Sequence, residues 1–324
     1  MPKIGRGQLI YPLLTYSSGG FPMIVILITV PFPKDWGHGD GTNAYILKGD
    51  KTILIDSGLD SPDNRDYIKK TLKKLDAWKV EAILLTHGHL DHFGLGAYVQ
   101  RETGAEIKIH ESDASALEDY RNVMSWFDEV YELAVEGGFD EQDLRAVKMQ
   151  LSMVIDMMSK PDHYGTFREL DLKIDGGALR SLHLPGHTPG SVGYVLGDSI
   201  FSGDVALDGS TNVGELKLEL VSIQKLKTFK HIYTGHRRSP INAKDLEALE
   251  AHIASRLEQV LRMTKQGRTL KEIVNGIYGM TMMETSFMKK VIPIRQVVSY
   301  LRYLEEEGYL AKRGARWVSF KDHL

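Results

Sequence analysis

Short apolar runs punctuated by Gly, Pro and Asp dominate the first 60 residues and read as strands. Residues 23–30 (Met-Ile-Val-Ile-Leu-Ile-Thr-Val) form one such run. Residues 43–47 lead through Lys48-Gly49-Asp50-Lys51 into 52–55, where the Gly-Asp pair suits a hairpin turn. The spacing then becomes helical. Ser61 as N-cap and Pro62 in the first turn open a helix predicted over 61–79, with Ile68, Leu72 and Leu75 on one face. Ala82-Ile83-Leu84-Leu85 is a short buried strand, followed by a helix over 95–103 and a strand over 106–110. Strands alternating with helices predict an α/β layered fold.

Residues 112–170 break the alternation with two long helical patterns, roughly 115–135 and 141–160, separated by Gly137-Gly138. The second pattern carries one stripe at Leu144, Val147, Leu151, Val154 and Met158, and another at Met149, Met153 and Met157. Two stripes exceed what a helix lying on one core needs. Packing within a helical hairpin or a homodimer accounts for the second stripe. So does a lid whose flexible Met side chains face an apolar substrate. Strands return at about 171–184, 191–196 and 199–201, with turns at Asp175-Gly176-Gly177 and Gly197-Asp198. Beyond Pro240 come helices over 245–266, 269–278 and 294–307, then a small hairpin over 312–318. The predicted organisation is a domain at 1–240, with a helical insertion at about 112–170, and a second domain at 241–324.

With 40 basic and 43 acidic residues in 324, the charge balance argues against attraction to nucleic acid or anionic membranes as the dominant property. The chain has no Cys, so disulfides and thiolate chemistry are excluded, and a metal site must use His and carboxylates. The 23–30 run is too short to span a membrane and lacks a small-residue cleavage site after it. A soluble cytoplasmic protein is expected.

The chemistry concentrates in Thr86-His87-Gly88-His89-Leu90-Asp91-His92, directly after the 82–85 strand. Three of the chain's 12 histidines and one carboxylate lie within six residues there. Imidazole and carboxylate together suit zinc, iron or manganese. His87-X-His89-X-Asp91-His92 resembles the signature of the metallo-β-lactamase superfamily. The remaining elements follow in order: Asp56 in Ile53-Leu54-Ile55-Asp56-Ser57-Gly58, His187 in Pro185-Gly186-His187-Thr188-Pro189-Gly190, Asp204 after Phe201-Ser202-Gly203, and His236 after Tyr233-Thr234-Gly235.

The resemblance covers about residues 20–240. It implies an αββα metallo-β-lactamase sandwich with a glyoxalase II-like core, the helical insertion, and a smaller C-terminal helical, winged-helix-like domain. It further implies that His87, His89 and His187 hold one metal and that Asp91, His92 and His236 hold a second. Asp204 would bridge the two with a water or hydroxide, Asp91 would also serve as the catalytic carboxylate, and Asp56 would orient a ligand histidine. The implied cofactors are two divalent ions, zinc first, with manganese and iron as alternatives. Trp36 and His38 are candidates to line a pocket, or belong to an ordinary solvated loop. His110, His163, His183, His231, His252 and His323 match no motif position and read as structural or surface residues.

The leading functional expectation is a dinuclear metal hydrolase of a small ester, thioester or lactone, acting through metal-bound hydroxide. Tyr194 would either add a hydrogen bond to the developing oxyanion or point into the sheet. Departures from particular branches narrow the choice. His92 and the lack of a signal peptide disfavour secreted β-lactamases. The 31 residues between Asp204 and His236 leave no room for the β-CASP insertion, and Leu207 stands where quorum-quenching lactonases place Tyr. The C-terminal region shows no basic glutathione-binding set.

The alternative is a single-strand endoribonuclease or phosphodiesterase. From residue 241 onward there are 14 Lys/Arg against 10 Asp/Glu, with Lys289, Lys290, Arg295, Lys312, Arg313 and Arg316 near a recognition helix and wing. A mononuclear iron oxygenase and a non-enzymatic DNA-binding regulator are further readings. The expected partner is a small-molecule substrate, with nucleic acid not favoured, no membrane, and a possible homodimer.

Overall fold

The computed structural model describes residues 10–16, 23–33, 40–174, 177–207, 214–279 and 287–324. Among these, two large sheets stack face to face. The first runs in chain order through β1 (Ile10–Tyr16), β2 (Met23–Pro31), β3 (Gly41–Lys48), β4 (Thr52–Ile55), β5 (Val80–Leu84), β6 (Glu106–His110) and β7 (Gly165–Phe167). Pairing is antiparallel from β1 to β4 and parallel from β4 to β7. The second contains β8 (Asp171–Ile174), β9 (Gly177–His183), β10 (Val192–Leu196), β11 (Ser199–Gly203) and β12 (His231–Thr234), ordered β12-β11-β10-β9-β8. There β11 and β12 are parallel and the other pairs antiparallel.

Side-chain alternation sets the layers. Val25, Leu27, Tyr45, Leu47, Ile53, Ile55 and Leu84 meet Leu179, Val192, Tyr194, Leu196, Phe201 and Tyr233 between the sheets. The outer face of the first sheet packs Ile28, Ile46, Leu54, Ile83 and Ile107 beneath α1 (Pro62–Lys74) and α3 (Gly96–Thr103), which is preceded by the single turn α2 (Leu90–Phe93). The outer face of the second packs Ile200 and Ile232 against α7 (Leu216–Leu226) and α8 (Ala243–Thr264). The order of layers is helix, sheet, sheet, helix, as expected from the sequence.

Ser61 caps α1 by accepting from the Asn64 N–H, and Lys73 and Lys74 in the last turn complement the helix dipole. The helix stops at Lys74 and not at residue 79, because Asp76 adopts a left-handed backbone (φ 51). Tyr194 points into the sandwich: it is fully buried, and its hydroxyl donates to the Leu85 carbonyl oxygen at 2.7 Å. It therefore does not serve an oxyanion. Tyr194→Phe is expected to cost about 1–2 kcal/mol of stability and to leave turnover unchanged, which a denaturant titration and an assay on one preparation would check.

The insertion departs from two simple helices. The predicted helix over 115–135 divides into α4 (Ser115–Glu118), a tight turn over Tyr120–Met124, and α5 (Ser125–Glu136). Asp119 causes the break: its backbone is extended (φ −138, ψ 116), and its side chain accepts from the Arg121 N–H to start the next turn. α6 (Glu141–Met157) buries Leu144, Val147, Leu151 and Ile155. Its other stripe, Met149, Met153 and Met157, is more than half exposed.

The C-terminal segment continues from α8 through β13 (Arg268–Thr269), α9 (Leu270–Tyr278), α10 (Phe287–Glu306), β14 (Leu310–Arg313) and β15 (Arg316–Ser319). The three strands form a small sheet ordered β13-β15-β14. The order is helix, strand, two helices and a two-stranded hairpin. Capping boxes begin α8 (Asn242 with Asp245) and α9 (Thr269 with Glu272). α10 starts well before residue 294 and carries Pro293 inside it. One apolar cluster joins Ile273, Val297, Leu301 and Trp317 to Val130, Ala134 and Leu144 of the insertion and to Ile200 and Ile232 of the second sheet. α10 is thereby packed onto α5, beside the edge of the sandwich where the candidate site lies. No helix among the described residues is long and apolar enough to cross a membrane.

Candidate metal centre

All seven residues picked out as ligands arrive at one edge of the sandwich, each just beyond the C-terminal end of a strand. β5 delivers His87, and α2 immediately after it carries Asp91 and His92. The loops after β9, β11 and β12 deliver His187, Asp204 and His236. The close approach needs small residues. Gly203 has φ 55, and a Cβ there would lie 2.5 Å from Thr86 Oγ1. A Cβ on Gly235 would overlap Asp204 Oδ1.

Two groups of donor atoms converge. His87, His89 and His187 each offer a nitrogen, with His87 Nε2 3.0 Å and His187 Nε2 2.9 Å from His89 Nδ1. Asp91, His92 and His236 form the other group: Asp91 Oδ2 lies 3.2 Å from His236 Nε2, which is 3.2 Å from His92 Nε2. Asp204 faces both. Its Oδ2 is 3.8 Å from His187 Nε2 and 3.2 Å from His236 Nε2, and its Oδ1 is 3.4 Å from His92 Nε2. Trp36 and His38 lie outside the described residues. His110 and His183 stack on each other at 4.4 Å and belong to neither group.

The far side of the imidazoles decides what the near side can do. His92 Nδ1 donates to Asp56 Oδ2 at 2.8 Å, and His236 Nδ1 donates to the Gly41 carbonyl oxygen at 2.9 Å. Thr86 Oγ1 spends its proton on Asp56 Oδ2, so it accepts from His87 Nδ1 at 3.0 Å. All three rings are fixed with the Nε2 lone pair facing inward. Two such lone pairs meeting at 3.2 Å, as in His92 and His236, repel unless a proton or a metal ion lies between them. The donor set therefore fits divalent cations, as two groups of three ligands joined by one carboxylate.

The electrostatics agree. Burial first, then the neighbouring imidazoles, hold His87 and His89 well below their ordinary pKa, which keeps them neutral. Burial opposes the charged form of His236 as well, but Asp204 and Asp91 outweigh it and raise the ring to about 10. His92 is raised in the same way by Asp204, Asp56 and Asp91. Burial also disfavours the Asp204 carboxylate, yet His236 and His92 hold it well below the usual range.

Two residues were not found from the sequence, and a third, Arg295, was read there only as part of a nucleic-acid face. Buried Asp113 accepts from the Gly88 N–H (2.8 Å) and Thr188 Oγ1 (2.7 Å) through Oδ2, and from the Gly190 N–H (2.7 Å) through Oδ1. It thus ties the His87/His89 loop to the His187 loop. Asp113→Asn turns one acceptor into a donor facing an N–H, and is expected to weaken metal binding by about 10- to 100-fold. Competition titration with a chromophoric chelator reads this, and unchanged affinity would contradict the role. The other two, Trp126 of α5 and Arg295 of α10, line a cavity of about 820 Å³ whose wall includes His89 and His187. Met149, Met153 and Met157 are not part of that wall, so α6 presents no methionine lid to this cavity.

Residues 38–255, well over half of the chain, match the family model for the metallo-beta-lactamase superfamily. The chain belongs to that superfamily. Its members are mostly metal-dependent hydrolases, with oxygenases and nucleases among them. Among relatives of this superfamily chain is an atrochrysone carboxyl ACP thioesterase from Paecilomyces divaricatus, 27% identical over 302 residues, covering 86% of this chain and 79% of the relative. A hydroxyacylglutathione hydrolase from Haemophilus influenzae is 28% identical over 153 residues, covering 47% and 61%. The crystal structure of a metallo-beta-lactamase family protein from Thermus thermophilus superposes with a TM-score of 0.76 at 25% identity, covering 91% of this chain and 98% of that one.

Proposed function

We propose that the chain is a dinuclear metal-dependent hydrolase of a small ester, thioester or lactone, with thioesters favoured. The observation that carries this reading is the convergence of two three-residue donor groups on Asp204, with His89 and His187 of the first group in the wall of a substrate-sized cavity. Two relatives add support, one being named a thioesterase and the other a hydroxyacylglutathione hydrolase.

In this reading His87, His89 and His187 would hold one ion and Asp91, His92 and His236 the other, with Asp204 placed to serve both. Divalent ions in such a donor set lower the pKa of water to about 7 and offset negative charge on an attacked carbonyl. Asp56 and Thr86 keep His92 and His87 in the tautomer that presents Nε2. Asp91, with its side chain about 20% exposed, is the carboxylate placed to take a proton from the attacking water. α10, the helix that would enter a nucleic-acid groove in a winged helix, instead borders the cavity.

The test is a panel of an acyl thioester, an aryl ester, a lactone and single-stranded RNA, offered to the metal-loaded protein. Thioester cleavage at the highest kcat/KM is expected. Cleavage of RNA alone, or oxygen consumption without hydrolysis, would overturn the reading.

A further inference from the structure

Arg295 lies in the interior of α10 and lines the cavity beside His89 and His187. Its guanidinium sits over the Trp126 ring, 4.8 Å from the centroid, and Nη2 donates to the His187 carbonyl oxygen at 3.3 Å. Among the described residues no carboxylate comes within 4.0 Å of it. Glu219, Glu129 and Asp204 act on it only from further away. Other cations lining this cavity are matched: Arg302 pairs with Glu129 at 3.3 Å and Lys217 with Glu307 at 2.8 Å. As a guanidinium it carries its charge at neutral pH.

A half-buried guanidinium with no carboxylate in contact has unspent donors and an unneutralised charge to offer a ligand. The fixed planar fork suits a carboxylate or phosphate, which it can grip with two parallel hydrogen bonds. The rest of the wall supplies apolar surface from Val123, Val130 and Val298, with Trp126 as an aromatic face. We propose that Arg295 is the anion-recognising residue of the substrate site, and that the substrate is an ester or thioester bearing a carboxylate or phosphate on an apolar body packed against Trp126. The scissile bond rests on the hydrolase reading above, whereas the anion site does not.

The experiment separates the two. Three non-hydrolysable probes share one benzyl thioether chain, ending in a carboxylate, a phosphate or a neutral primary amide. Each is titrated calorimetrically into the metal-loaded protein and into Arg295→Gln and Arg295→Met. The native chain should bind at least one anionic probe about 10- to 100-fold more tightly than the amide. Both variants should lose that preference while holding the amide within about threefold of its native affinity. Whichever of carboxylate and phosphate binds more tightly identifies the group recognised. An anion preference that survives in the variants would place the anion on the metals and overturn the proposal, as would no preference in the native chain. Unfolding of both variants would assign Arg295 to the α5–α10 joint and overturn it too. Because the probes do not turn over, anion selectivity stands even where the substrate panel shows no hydrolysis.

Discussion

Asp204→Asn is expected to leave a folded protein whose kcat/KM falls by about three orders of magnitude. The side chains are nearly isosteric, so the β11 strand end and the packing beneath Gly203 need not move. What changes is charge and hydrogen-bond sense. Asp204 faces His187, His236 and His92 within 3.8 Å, and the amide would remove the negative charge shared between the two donor groups. It would also replace one of the two oxygens that face a cation with an N–H₂ group that cannot bind one. The metal content should fall from about two to one or fewer per chain under matched free metal. His252→Gln is the control: that ring lies on α8, away from both donor groups, and the change should stay within about threefold of native turnover. Full activity in Asp204→Asn would rule out the bridging role.

Removing the metals is the second large perturbation. Chelation at neutral pH should abolish turnover and lower the stability by about 4 kcal/mol where the free metal had stood a thousandfold above Kd. For a chain of this size that corresponds to a fall in Tm of about 6 °C. The reason is local. Asp56, Asp91 and Asp204 crowd around His92 and His236, and without cations only protons on those imidazoles offset the three carboxylates. The pH dependence follows with its sign. In the metal-free fold His236 is raised to about 10, so at neutral pH a metal must displace its proton. Metal affinity should therefore rise as the pH is raised from 7 toward 10 and fall on acidification. Calorimetry in buffers of different ionisation enthalpy would show protons released on binding. Zinc titrated back should restore both Tm and activity, and a chelated protein with unchanged Tm would contradict the account.

The cluster was legible from the sequence because its residues sit in short motifs that each follow a strand, so His87, His89, Asp91, His92, His187, Asp204 and His236 could be picked out one by one as candidate ligands. The layers were legible for a similar reason, since the apolar runs keep strand or helix periods. Other features depend on contacts that no local pattern encodes. Asp113 is a site residue only because Gly88, Thr188 and Gly190 come to it from 25 to 77 positions away. Arg295 read as one of several basic residues on a nucleic-acid face, and its meeting with Trp126 joins two distant segments. α7 was passed over because buried Glu219 and Ser222 interrupt its apolar face. The break before α5 turns on one residue, Asp119, whose side chain prefers to cap a new turn.

A two-metal centre is the central claim, and elemental mass spectrometry of the purified protein, before any metal is added, tests it most directly. About two zinc or manganese ions per chain is the predicted result. About one iron per chain would instead favour an oxygenase and contradict the dinuclear hydrolase, as would a chain that neither carries nor takes up divalent metal.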